Sequence, residues 1–82
     1  VEMTKTEYVL DSLADDEEAK TQIMEYFVFC NINISEPELD DLLYKTVADG
    51  LILVNRQWQN EKGEFPYALT QKGREMWNAI EE

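Results

Sequence analysis

The stretch Ser35-Glu36-Pro37-Glu38-Leu39-Asp40-Asp41-Leu42-Leu43-Tyr44-Lys45-Thr46-Val47-Ala48-Asp49-Gly50-Leu51-Ile52 decides the fold. Ser35 with Glu38 three residues on has the form of a capping box, in which each side chain satisfies a backbone amide left orphaned at a helix start. Pro37 falls in the first turn, where its fixed φ presets the helix and its missing N–H costs nothing. Leu39, Leu42, Leu43 and Val47 recur at helical spacing and are expected to form the buried stripe. Asp49-Gly50 ends the helix, because glycine takes the left-handed turn without steric penalty.

Downstream, Leu51 to Trp58 reads as a strand, with Leu51, Leu53 and Asn55 on the opposite side from Ile52, Val54 and Arg56. Asn60-Glu61-Lys62-Gly63-Glu64 supplies turn residues, and Phe65-Pro66-Tyr67-Ala68-Leu69 is the returning strand. Pro66 lacks a donor, which predicts an edge strand or a bulge there. Thr70 is expected to cap a last helix carrying Met76, Trp77 and Ile80 on its apolar face.

Upstream, a periodic segment runs from about Thr4 to Ala14, with Tyr8, Val9, Leu10 and Leu13 apolar. Asp15-Asp16-Glu17-Glu18 interrupts the pattern. Asp15 or Asp16 is the expected cap of a second helix reaching Phe29, its acids suiting the positive helix end. Ala19, Ile23, Phe27 and Cys30 share one face of it, with Tyr26 beside them. One bent helix over both segments stays open, since no Gly or Pro separates them. Asn31-Ile32-Asn33-Ile34 alternates and suggests an extended link or a very short strand. The order is helix, helix, helix, hairpin, helix: an α+β chain whose residues 1–82 are expected to form a single domain.

Eighty-two residues lie near the lower limit for one unstapled core, and 44% of them are hydrophobic. Three Gly and two Pro are too few for a disordered or turn-rich all-β chain. The single Cys30 has no internal disulfide partner, and no CxxC pair is present, so a reducing cytoplasm is the expected setting. No apolar run approaches the roughly 18 residues of a membrane span.

Seven basic and eighteen acidic residues give a net charge of −11. Lys5, Lys20 and Lys45 face thirteen acids in residues 1–49, whereas Arg56, Lys62, Lys72 and Arg74 face five in residues 50–82. The first half repels phosphate backbones and anionic membranes and attracts basic partners; the same charge also serves plain solubility.

Little in the sequence can carry catalysis. No histidine is present, so the commonest general base and metal ligand is missing. Ser12 has no evident base, and Ser35 is explained as a cap. Cys30, next to Phe29 and on the Phe27 face, reads as a small core residue. Asp15 to Glu18 lacks the spacing of a calcium loop and reads as a solvated helix start. No enzyme, cofactor or metal is expected.

Ser35, Leu39, Leu42-Leu43 and Asp49-Gly50-Leu51-Ile52 have the spacing of the third helix in winged-helix repressors of the PadR type. Tyr67-Ala68-Leu69-Thr70-Gln71-Lys72-Gly73-Arg74-Glu75 resembles the end of their wing and the start of the next helix. More loosely, the chain resembles MarR-type regulators. The resemblance spans about Ser35 to Trp77. It implies a winged helix with three N-terminal helices, a two-stranded β-hairpin wing and a C-terminal helix. It also implies a dimer binding duplex DNA, with the third helix in the major groove and the wing beside the backbone.

Against that role stand Glu36, Glu38, Asp40 and Asp41, four carboxylates at the outward positions of the third helix. Phosphate contact requires cations, and a carboxylate reads only a cytosine amino group. Two readings follow. In one, Glu36, Glu38, Asp40, Asp41 and Tyr44 bind a basic protein partner, the helix imitating nucleic-acid charge. In the other, Lys45, Arg56, Lys62, Lys72 and Arg74 hold DNA, chiefly through the wing. Charge at the contact positions favours the first. Met76, Trp77 and Ile80 are expected at a homodimer seam, Trp77 being equally suited to the core; Trp58 is expected on an exposed hairpin.

Overall fold

The computed structural model describes residues 3–81. Four helices and one antiparallel hairpin follow in the order α1 (Lys5–Ser12), α2 (Lys20–Phe29), α3 (Glu36–Ala48), β1 (Ile52–Val54), β2 (Tyr67–Leu69) and α4 (Gln71–Glu81). The chain is therefore an α+β winged helix, as the motifs implied.

Helix α1 begins in a true capping box. The Thr4 hydroxyl accepts from the Glu7 amide, and the Glu7 carboxylate accepts from the Thr4 amide. Val9, Leu10 and Leu13 from this segment join Ile23 and Phe27 of α2, Leu39 and Leu43 of α3, and Leu51 and Ile52 in one core.

The start of α2 differs from expectation. Asp15 and Asp16 do not cap it, and the helices are separate. Glu18 instead exchanges backbone hydrogen bonds with Tyr67, its N–H donating at 3.2 Å and its carbonyl accepting at 2.8 Å. That pairing keeps the chain extended to Ala19, so the helix opens at Lys20, and the Gln22 side chain accepts from the Ala19 amide. Helix α2 leaves through Asn31 at φ 61°, a left-handed position that asparagine tolerates. Cys30 ends the helix only half-buried, outside the core.

Helix α3 keeps its Ser35 cap and loses the other half of the box. The Ser35 hydroxyl accepts from the Glu38 amide at 3.2 Å, but the Glu38 carboxylate turns to Lys5. Its stripe is rotated toward Thr46, which is buried with its hydroxyl on the Leu42 carbonyl at 2.6 Å, while Val47 is 36% exposed. A threonine that donates to the preceding turn enters a core without an unpaired hydroxyl, and that satisfaction permits the rotation. Gly50 closes the helix at φ 77°.

The strands are shorter than the apolar runs. Ile52 pairs with Leu69, Leu53 with Ala68 and Val54 with Tyr67. Asn55 still donates to the Pro66 carbonyl at 2.8 Å, but Pro66 has no N–H to return, and the ladder ends. Pro66 thus precedes β2, which is an edge of the two-stranded sheet, as its proline predicts, and is bridged on its outer side at Tyr67. Tyr67 is flanked by β1 on one side and Glu18 on the other. Both Leu51 and Ile52 are buried, so the two do not alternate in burial as the strand pattern predicts.

Helix α4 starts on Thr70, whose hydroxyl accepts from the Gly73 amide at 3.0 Å. It packs tightly across the α3–β1 junction, where Gly73 lies against Leu51.

Candidate nucleic-acid and partner interface

The outward side of α3 carries the acids and the tyrosine singled out in the sequence. Leu39, Leu43 and Thr46 fix which side faces in, leaving Pro37, Asp40, Asp41, Tyr44, Lys45 and Ala48 in solvent. Tyr44 is 75% exposed. Asp40, Asp41 and Tyr44 share this outward face, and Glu36 and Glu38 are exposed on its two flanks.

The four carboxylates are not left alone there. The Lys20 ammonium sits 2.8 Å from Asp40 and 3.6 Å from Glu36. Lys5 reaches Glu38 at 2.5 Å, and Lys45 reaches Asp41 at 2.9 Å one turn along α3. The hydrogen bond to Asp40 raises the Lys20 pKa, and that from Lys5 lowers the Glu38 pKa. The Asp41 contact likewise raises Lys45. Every lysine of residues 1–49 is engaged at this surface. Sequence reasoning missed Lys5 and Lys20. They are remote from α3 along the chain, and the only sequence signal was their place at the first turn of each preceding helix.

The wing is a folded loop more than a long hairpin. Residues 55–66 wrap around Asn60, whose side-chain oxygen accepts from the Lys62 and Glu64 amides, each at 2.9 Å. Gly63 turns the chain at φ 78°. The loop is tied to the body twice: Thr21 donates its hydroxyl to the Glu64 carboxylate at 2.8 Å, and Asn55 donates to Glu17 at 2.9 Å. Bonds from Asn60 first, and then from Thr21, lower the Glu64 pKa. Trp58 is 48% exposed on this loop.

Arg56, Lys62, Lys72 and Arg74 each have partners of their own. Arg56 stacks 5.4 Å over the Phe65 ring, and Lys62 lines an open cleft with Glu25 and Glu61. Lys72 donates to the Asp49 carbonyl at 3.0 Å, satisfying the negative end of α3. Arg74 donates to the Ala14 carbonyl at 2.8 Å and lies 5.6 Å over Trp77. Arg56 and Lys62 lie on the wing; Lys72 and Arg74 complete the ends of other segments.

The expected seam residues divide similarly. Met76 is 37% exposed and Ile80 half-buried. Trp77 packs on the core, and its indole N–H donates to Asp11 at 2.9 Å. The Tyr26 hydroxyl donates to the other oxygen of Asp11, so this carboxylate joins α1, α2 and α4. Burial raises the Tyr26 pKa first, and the bond to Asp11 raises it further.

Among the described residues, no group of three or more His, Cys, Asp or Glu is placed to hold a metal ion. None of their helices is long and apolar enough to cross a membrane.

No family profile and no curated protein matches the chain. Solved structures do. A PadR family transcription regulator from Clostridium difficile R20291 aligns with TM-score 0.80 and 16% identity over 94% of this chain and 82% of that one. A PadR-like transcription factor from Bacteroides fragilis aligns with TM-score 0.78 and 19% identity over 93% and 75%. Bacillus subtilis PadR, solved in complex with operator DNA, aligns with TM-score 0.75 and 22% identity over 92% of this chain and 45% of its own. Identities this low carry the fold and not the function. The chain is a winged-helix domain with the architecture of PadR-type transcription regulators.

Proposed function

We propose that this chain is a non-enzymatic, cytoplasmic transcription regulator that binds duplex DNA as a homodimer. Helix α3 faces the groove, and the 55–66 loop, with Arg56 and Lys62, lies beside the backbone. The observation that carries this reading is the convergence of Lys5, Lys20 and Lys45 on the acids of α3. From the sequence alone the helix carries four outward carboxylates, which favoured a basic protein partner. In the fold, three ammonium groups pair with them, so four carboxylates face three cations and one negative charge is left over. The Debye length is about 8 Å at physiological salt, so a docked phosphate responds to this local balance far more than to the whole chain's −11. Bacillus subtilis PadR, with the same fold, was solved on operator DNA, which supports the reading further.

A protein partner at Glu36, Glu38, Asp40, Asp41 and Tyr44 remains the second reading. It is favoured by the exposed Tyr44 ring amid charged groups, the arrangement of an interface anchor. Fluorescence anisotropy of labelled random-sequence duplex separates the two. The regulator reading predicts non-specific binding near the weak end of the usual range, about 10⁻⁴ M at physiological salt, tightening as salt is lowered. Absence of binding at low salt would leave the protein-partner reading in its place.

A further inference from the structure

We infer that Lys5 and Lys20 are phosphate-binding residues of this domain, held at the two flanks of α3 by its own carboxylates until a duplex backbone takes them over. The inference rests on the duplex-binding reading and assigns it residues outside the matched motifs.

Neither lysine serves its own helix. Lys5 is the first residue of α1 and Lys20 the first of α2, where the positive end of the helix dipole disfavours a cation. Both instead reach across to α3. Their places there are complementary. Glu36 and Asp40, which hold Lys20, lie on one side of the helix; Glu38, which holds Lys5, lies on the other. At 3.6 residues per turn, Glu36 and Glu38 project roughly 200° apart. The outward face with Pro37, Asp41 and Tyr44 runs between them.

That spacing fits a major groove. The groove is about 12 Å wide and a helix with its side chains spans about 10–12 Å, so cations on the two flanks of a docked helix meet the two phosphate walls. The carboxylates stand in for those phosphates. They offer the same anionic oxygens to an ammonium group, and they keep two flexible side chains extended along the flanks. The pairs are also open to exchange. The Lys5 and Glu38 side chains are 43% and 48% exposed, and Lys20 is 29% exposed against 54% for Asp40. Solvated pairs of this kind are weak and yield to a dense line of phosphates. Exchange has a cost, because each carboxylate left behind then faces the backbone without its cation. Removing a carboxylate therefore ought to strengthen binding.

The test is duplex anisotropy across a salt series with wild type, a Lys5→Gln/Lys20→Gln double variant and Asp40→Asn, each first shown folded by circular dichroism. The double variant is expected to bind several-fold more weakly, with its log–log salt slope flattened by about two, near 0.9 per phosphate released. Asp40→Asn is expected to bind several-fold more tightly. Wild-type binding with an unchanged slope in the double variant, or weaker binding by Asp40→Asn, overturns the handover and leaves duplex binding standing. No binding by wild type at low salt overturns both.

Discussion

Gly73→Ala is expected to destabilise the domain by on the order of 3 kcal/mol, the upper range for overpacking a filled site. Helix propensity alone predicts the opposite sign, since Ala is favoured over Gly within a helix by about 1 kcal/mol. Packing decides. A Cβ on Gly73 would overlap the Leu51 carbonyl oxygen, stand 3.0 Å from the Leu51 carbonyl carbon and 3.3 Å from a Leu69 methyl. The Leu51 carbonyl cannot readily yield, because it accepts from the Thr70 amide at 3.1 Å and lies 3.0 Å from the Thr70 hydroxyl. The helix would have to lift from the strand. Urea unfolding gives the answer directly: a midpoint well below wild type is expected, and an unchanged or higher midpoint would show that α4 does not press on Leu51 in this way.

Asp11→Ala is expected to cost about 2 kcal/mol, the penalty of leaving partly buried donors unpaired. The lost acceptor serves the Tyr26 hydroxyl and the Trp77 indole at once, so α2 and α4 both lose their tie to α1. Asp11→Asn keeps one oxygen as an acceptor and ought to recover part of the loss. Thermal unfolding reads the stability, and tryptophan emission reads the site, because Trp77 sits at the junction. If Asp11→Ala leaves stability and emission unchanged, Trp77 is held by something other than this carboxylate.

The readability of this fold varied with how local its causes were. Helix α3 was legible because its start, stripe and end are each encoded within a few residues by Ser35, the leucines and Gly50. The start of α4 at Thr70 was legible for the same reason. The start of α2 was not. Asp15 and Asp16 are good caps by type, but Glu18 is drawn into backbone pairing with Tyr67, far along the chain. Strand length was misread because Pro66 ends the ladder from the opposite strand. Thr46 took the place of Val47 inside because its hydroxyl finds a backbone partner, which an apolar count does not register.

The candidate surface was legible by half. The exposure of Glu36, Glu38, Asp40, Asp41 and Tyr44 followed from helical periodicity. Their electrostatics did not, because two of the three compensating lysines arrive from other helices. A run of acids on a sequence reports formal charge; the field at a helix face depends on what the fold sets beside it. The basic residues of the second half err in the other direction. Lys72 and Arg74 match the motif and carry charge, yet both donate to backbone carbonyls of neighbouring segments.

The most direct test of the account is a two-dimensional amide NMR titration of the protein with short duplex DNA at low salt. Duplex recognition through this face predicts shifts at Asp40, Asp41 and Tyr44 on α3, at residues 55–62 of the wing, and at Lys5 and Lys20 on the flanks. The exposed end of α2, at Val28 and Phe29, ought to stay unchanged. Amide signals that do not move at all, or that move only at the Val28–Phe29 end of α2 or on α4, would contradict duplex recognition through this face.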